Sequence, residues 1–170
     1  MEALSFIVDN EFFAVDVSYV QTVVRKIPVT LVPTAPDEVL GIANFKGRVI
    51  TILCLNTFLE RPEGGADREL NKTISAVIFK PMYGDEDQLG LAIDKTGDLI
   101  EMLDEDTKPY VHSGQADGHS CISSIAETNG SLYRIIDLNQ ISERYKSASD
   151  FSHSADISNN FSNDPETLNT

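Results

Sequence analysis

Basic residues are scarce in this chain: 13 Lys and Arg stand against 27 Asp and Glu, a formal charge of −14 over 170 residues. A surface this acidic is repelled by phosphate backbones and anionic headgroups, which argues against nucleic acid and membrane surfaces and favours proteins or cationic surfaces as partners. Long hydrophobic runs are lacking too. No apolar stretch approaches the roughly 20 residues that cross a bilayer, so no membrane insertion is expected. The chain opens on Glu2, without a basic region before an apolar segment, and the expectation is a cytoplasmic protein. Cysteine occurs only at Cys54 and Cys121, far apart, which reads as two free thiols rather than a disulfide.

The signatures of catalysis are also missing. There is no G-x-x-x-x-G-K-[ST], no G-x-G-x-x-G and no G-x-S-x-G. His112, His119 and Cys121 lie close together and could in principle ligate zinc, but no C-x-x-C or H-x-x-x-H accompanies them and no fourth ligand is evident. They read as loop residues. Cys54 sits in an apolar run, where burial favours the inert thiol. Asp85-Glu86-Asp87 and Asp104-Glu105-Asp106 lack the glycine at the sixth position and the glutamate at the twelfth that a calcium loop needs, and read as charged turns. No catalytic residue, cofactor or metal ligand is therefore expected.

What the chain has is short β-forming segments. A hydrophobic fraction of 41% is ample for a core, and the length suits one domain or two small ones sharing a core. Leu4–Val8 and Phe12–Val15 flank Asp9-Asn10 as an antiparallel pair. Asp16 is placed to cap a helical turn from Val17, followed by an extended segment that Pro28 is expected to break. Pro36 suits the start of a brief helical turn, with Gly41 able to close it. Residues 60–72, rich in charge and glycine, read as an exposed linker dividing two halves of similar kind. Thr73–Lys80 and Leu89–Ile93 pair as a hairpin, and Leu99 to Leu103 continue the β pattern. Asn129-Gly130 marks another hairpin, leading to Leu132–Ile136, and Asp137 caps a final helix carrying Leu138, Ile141 and Tyr145. Residues 147–170, rich in serine and asparagine without Lys or Arg, read as a disordered tail after a domain spanning 1–146. Nine or ten strands with turns every eight to twelve residues indicate an all-β fold of barrels or a sandwich.

The stretch Val20–Leu59 centres on Asn44-Phe45-Lys46-Gly47, between the apolar runs Val39–Ala43 and Val49–Leu55. Glycine there supplies the positive φ of a tight hairpin. An aromatic and a cation at its tip are either solvated or a contact surface, and Phe45 has the alternative of packing inward between two barrels.

Val20-Gln21, then Val32-Pro33-Thr34-Ala35-Pro36, then Gly41-Ile42-Ala43-Asn44-Phe45-Lys46-Gly47 and an apolar strand to Leu55 resemble the CheW-like family of chemotaxis coupling proteins. Leu89–Asp94 and Arg134–Leu138 extend the resemblance over about Leu4 to Tyr145. It implies two packed five-stranded barrels of the Src-homology-3 type, with short helical turns and a C-terminal helix. It also implies a non-catalytic adaptor whose partners are the cytoplasmic tip of a chemoreceptor and the regulatory domain of a histidine kinase. The residues expected to make protein contacts are Thr22, Asn44, Phe45, Lys46, Gly47 and Arg48. The chain departs from the family pattern at Lys46 for arginine, at Thr22 for an acidic residue, and at Thr51, Cys54 and Asn56 for proline, aspartate and arginine. A divergent pathway such as pilus-based motility, or an unrelated β-barrel binding module, therefore stays open, as does an enzyme built on the His112/His119/Cys121 loop.

Overall fold

The computed structural model of the chain describes residues 1–61, 72–82, 87–110 and 121–158, with side chains through residue 150. In chain order the strands are β1 (Glu2–Val8), β2 (Glu11–Asp16), β3 (Val20–Val29), β4 (Val39–Phe45), β5 (Arg48–Leu53), β6 (Lys72–Phe79), β7 (Gln88–Ile93), β8 (Lys95–Glu101), β9 (Thr107–Pro109), β10 (Ile122–Thr128) and β11 (Ser131–Ile136). A single-turn helix, α1 (Leu55–Phe58), follows β5, and a long one, α2 (Leu138–Ser158), follows β11. The expected turn after Asp16 is present as a 3-10 helix over Val17–Tyr19, with the Asp16 carboxylate accepting the Ser18 N–H at 2.8 Å. Asp137 caps α2 in the same manner, its Oδ1 accepting the N–H groups of Asn139 and Gln140 at 3.0 and 3.2 Å.

The strands form two sheets, β3-β6-β7-β5-β4 and β8-β1-β2-β11-β10-β9. Five strands of the second repeat the plan of the first. Each set has two antiparallel pairs, one parallel pair (β7 with β5, β2 with β11) and a closing antiparallel hairpin (β5 with β4, β11 with β10). The three-residue β9 is an addition to the expected five. In the first sheet the two edges meet: Thr30, just past β3, exchanges hydrogen bonds with Ile42 of β4 at 2.8 and 2.9 Å. That bridge closes a barrel. Following the pairs from Gly41 through Ile52, Gly90 and Ile78 leads to Thr22, whereas the bridge joins Ile42 to Thr30 further along β3, the stagger that closure of tilted strands requires.

Alternation along the strands sends side chains to three cores. Ile50, Ile52, Ala76 and Ile78 fill the five-stranded barrel, while their neighbours Leu53, Val77 and Phe79 face the other sheet. Ala3, Ala14, Ala126 and Ile135 line the interior of the six-stranded sheet, and Leu4, Phe6, Phe13 and Ile136 join the core between the sheets. Leu138 and Ile141 of α2 complete that central core. Polar clamps rim it. Arg144 of α2 donates to the carbonyls of Phe58 and Thr57 at 3.1 and 3.4 Å, lies 3.7 Å from a Glu38 oxygen, and stacks 5.5 Å from the Phe58 ring centroid. Glu11 of β2 receives both Arg61, after α1, and Arg134.

Four expectations need correction. Pro28 does not break β3; it lies inside an edge strand with a bulge between Val24 and Ile27, where a missing N–H is tolerated. Gly41 closes no helical turn but sits in β4, where a Cβ would lie 2.4 Å from the Thr30 carbonyl oxygen. The preceding turn is instead held by the Val39 N–H on the Pro36 carbonyl at 2.9 Å. Residues 60–72 do not separate two halves, because the flanking β5 and β6 belong to one sheet; residues 62–71 lie outside the described ones. The helix that Asp137 starts runs on to Ser158, so 147–158 is helical rather than part of a disordered tail. Once a helix is nucleated each added residue brings a hydrogen bond, and Ser147 and Ser149 satisfy their hydroxyls on the Glu143 and Tyr145 carbonyls at 3.0 Å each. Residues 159–170 lie outside the described ones.

Candidate functional site

The β4–β5 hairpin turns over only two residues. Lys46 and Gly47 both have positive φ, 51° and 81°, which is the type I′ turn whose twist matches that of the flanking strands. Asn44 supports it by accepting the Gly47 N–H on Oδ1 at 3.0 Å. Gly47 suits such a φ at no steric cost, whereas Lys46 occupies the left-handed region at an expense of about 1–2 kcal/mol that glycine or asparagine would largely avoid.

Phe45 neither reaches outward as a free ring nor packs between the barrels. It is half-buried and packs against the core inside the five-stranded barrel, as do Val24, Ile74 and Ala92. The Lys46 ammonium lies 5.2 Å from its ring centroid, within cation–π range. Arg48 pairs across the strand with Phe45 and is exposed, and Val49 beside it is 65% exposed. The tip thus carries two exposed cations, Lys46 and Arg48, with Val49 exposed on the face opposite Phe45.

Thr22 stands apart. It is half-buried on β3 opposite Ile78, eight residues before the Thr30 bridge to β4. The hairpin brings Asn44, Phe45, Lys46, Gly47 and Arg48 together; Thr22 is not part of that group. Val49 was not singled out in the sequence, where its β-branched side chain in an apolar run reads as core. Its exposure follows from position, since its neighbours Ile50 and Ile52 take the inward side.

Thr51, Cys54 and Asn56 have structural settings. Thr51 is half-buried on β5, Cys54 is buried at the start of α1, and the Asn56 amide donates to Asp9 in the β1–β2 turn at 2.5 Å. His112 and His119 lie outside the described residues. Cys121 is buried in the central core, and burial pushes its thiol from 9.0 up to about 11, with Arg144 opposing in part. A thiol held neutral in this way is a poor nucleophile. Among the described residues no three or more His, Cys, Asp or Glu gather as a metal site, and no helix is long and apolar enough to cross a membrane.

Comparison with known proteins follows the same lines. Residues 2–146 match the family model of the CheW-like domain. A chemotaxis protein CheW of Helicobacter pylori is 25% identical over 142 residues, covering 83% of this chain and 81% of that protein. One from Bacillus subtilis is 25% identical over 144 residues, covering 85% and 88%. The crystal structure of the scaffolding protein TtCheW from Thermoanaerobacter tengcongensis superposes with a TM-score of 0.64 at 21% identity, over 80% of this chain and 88% of that one. At that identity the likeness establishes the fold.

Proposed function

Because this chain belongs to the CheW-like domain family, we propose that it is a non-catalytic adaptor of chemotaxis signal transduction. It couples the cytoplasmic tips of chemoreceptors to the regulatory domain of a histidine kinase, and it acts in the cytoplasm. The observation that carries this reading is the family match over residues 2–146.

An adaptor of this kind works by holding two partners on one scaffold, so that a change of state in one biases the other. Two barrels locked by a shared core and by the Arg144 and Glu11 clamps form such a scaffold. We assign one partner surface to Asn44, Phe45, Lys46, Gly47 and Arg48. Half-buried Phe45 and exposed Val49 contribute apolar area, while the rim cations Lys46 and Arg48 set approach and register more than affinity.

Lys46→Glu tests this. The substitution keeps the turn, because glutamate at 46 meets the same backbone demand as lysine, and it inverts the tip charge. Co-sedimentation with a reconstituted receptor–kinase complex is expected to weaken by about tenfold with an unchanged melting curve. Unchanged co-sedimentation would remove the hairpin from the partner surface.

A further inference from the structure

Three oxygen-bearing side chains meet where the two sheets are joined. Asp9 lies in the β1–β2 turn of the six-stranded sheet, Asn56 in α1 after β5 of the five-stranded one, and Asp94 between β7 and β8, where the chain passes from one sheet to the other. Sequence spacing hides the grouping, since the contacts span 47 and 85 residues. Asp94 Oδ2 accepts the Asp9 N–H at 2.7 Å, and Asp9 Oδ2 accepts from the Asn56 amide at 2.5 Å. The Asp94 N–H donates to the Ile7 carbonyl at 2.9 Å, which anchors residue 94 beside the turn.

Two features of this group are left unbalanced. Asp9 and Asp94 bring two negative charges into one hydrogen-bonded cluster, and among the described residues no Lys or Arg pairs with either. Arg61 and Arg134 are both held by Glu11, two residues beyond Asp9. The second feature is Asn56 Oδ1. Asn56 is only 8% exposed, and this oxygen is buried without a hydrogen-bond partner, although it belongs to the same amide that holds Asp9. A buried acceptor left unpaired is costly. Carboxylates together with a carboxamide oxygen are the ligand set of a hard cation, which would answer the orphaned oxygen and both charges at once.

We infer that Asp9, Asp94 and Asn56 Oδ1 bind a hard divalent cation, calcium or magnesium, which clips the two sheets together. Three protein ligands leave the rest of the coordination sphere to water, as the exposed positions of both aspartates allow. So few charged ligands put dissociation on the order of 1 mM. The ligands come from each sheet and from the joint between them, so occupancy stiffens the arrangement of the sheets rather than either barrel. The inference does not depend on the adaptor reading.

Thermal melts of the full chain test it, after removal of metal with a chelator and then with calcium or magnesium chloride added separately to about 10 mM at constant ionic strength. Asp9→Asn and Asp94→Asn are the site variants: asparagine keeps an acceptor for each hydrogen bond, tolerates the φ of 49° at position 9 and removes the charge. The double variant D104N/D106N, in the 3-10 turn before β9, is the control for loss of charge elsewhere. The melting temperature of the parent is expected to rise saturably by roughly 3–5 °C with at least one of the ions, with the control rising equally and each site variant by less than half as much. A parent indifferent to both ions, as when water fills the place beside Asn56, would overturn the inference. So would site variants that keep more than half of the rise, or a control that loses it, since the ions would then merely screen a chain of −14.

Discussion

Gly41→Ala tests how the five-stranded barrel is closed. A Cβ at position 41 would stand 2.4 Å from the Thr30 carbonyl oxygen and 2.7 Å from Val29 Cγ1. Ordinary carbon–oxygen contacts begin near 3.3 Å, so the Thr30 strand must retreat by nearly 1 Å. That carbonyl accepts the Ile42 N–H at 2.9 Å, and the reciprocal bond is 2.8 Å. A retreat of that size carries both beyond hydrogen-bonding range. Two net hydrogen bonds at about 1–1.5 kcal/mol each, less a fraction of a kcal/mol recovered from the stiffer unfolded chain, give a loss of about 2 kcal/mol. For a domain of this size the melting temperature then falls by roughly 4–8 °C. Amide hydrogen exchange should locate the damage, with Thr30 and Ile42 losing protection before the interior of β6 and β7. Gly47→Ala is the comparison: it meets nothing within 4 Å and bears only the backbone penalty of its φ of 81°, about 1 kcal/mol. A Gly41→Ala variant as stable as the parent, with Thr30 and Ile42 still protected, would refute closure at this bridge.

Two further expectations follow from the central core. Removing the Arg144 fork by Arg144→Ala releases the ends of α1 from α2 and is expected to cost about 1.5–3 kcal/mol in urea unfolding, with Arg144→Lys recovering less than half, since it keeps the charge but loses the planar donors; equal stability of the lysine variant and the parent would show that charge alone matters. Burial holds the Cys121 thiol at about 11 against 9.0, so the stabilisation is complete below pH 9 and is lost as pH rises toward 11, where only the unfolded chain gains by ionising. Parent and Cys121→Ala stabilities should therefore converge by about 2–3 kcal/mol between pH 9 and 11, and parallel curves would contradict the assignment.

Much of this architecture is legible in the sequence where the signal is local. Asp16 and Asp137 announce their caps, Asn129-Gly130 its turn, and Gly47 the end of the central hairpin. What sequence spacing does not convey is pairing across distance. The charged stretch at 60–72 has the composition of a boundary, yet the strands on either side of it lie in one sheet, because pairing is decided by which apolar faces meet. Pro28 reads as a breaker until β3 is seen to be an edge. Gly41 reads as a cap until the Thr30 carbonyl is found where its side chain would be. At the site, the turn and its lysine are foreseeable, but Val49 and Phe45 exchange the roles that hydrophobicity alone suggests. The exposed one is the β-branched residue, and the half-buried one is the aromatic.

The strand order carries a consequence for biosynthesis. The five-stranded barrel is built from one uninterrupted stretch, β3 to β7, and has all its strands once residue 93 is in hand. The other sheet takes β1 and β2 from before that stretch and seats them between β8 and β11, which come after it. On a ribosome, β1 and β2 are therefore made before the whole five-stranded barrel, and their edges wait for β8 and then β11; Phe6 and Phe13, stacked 5.9 Å apart, belong to a hairpin that stays unpaired on both sides meanwhile.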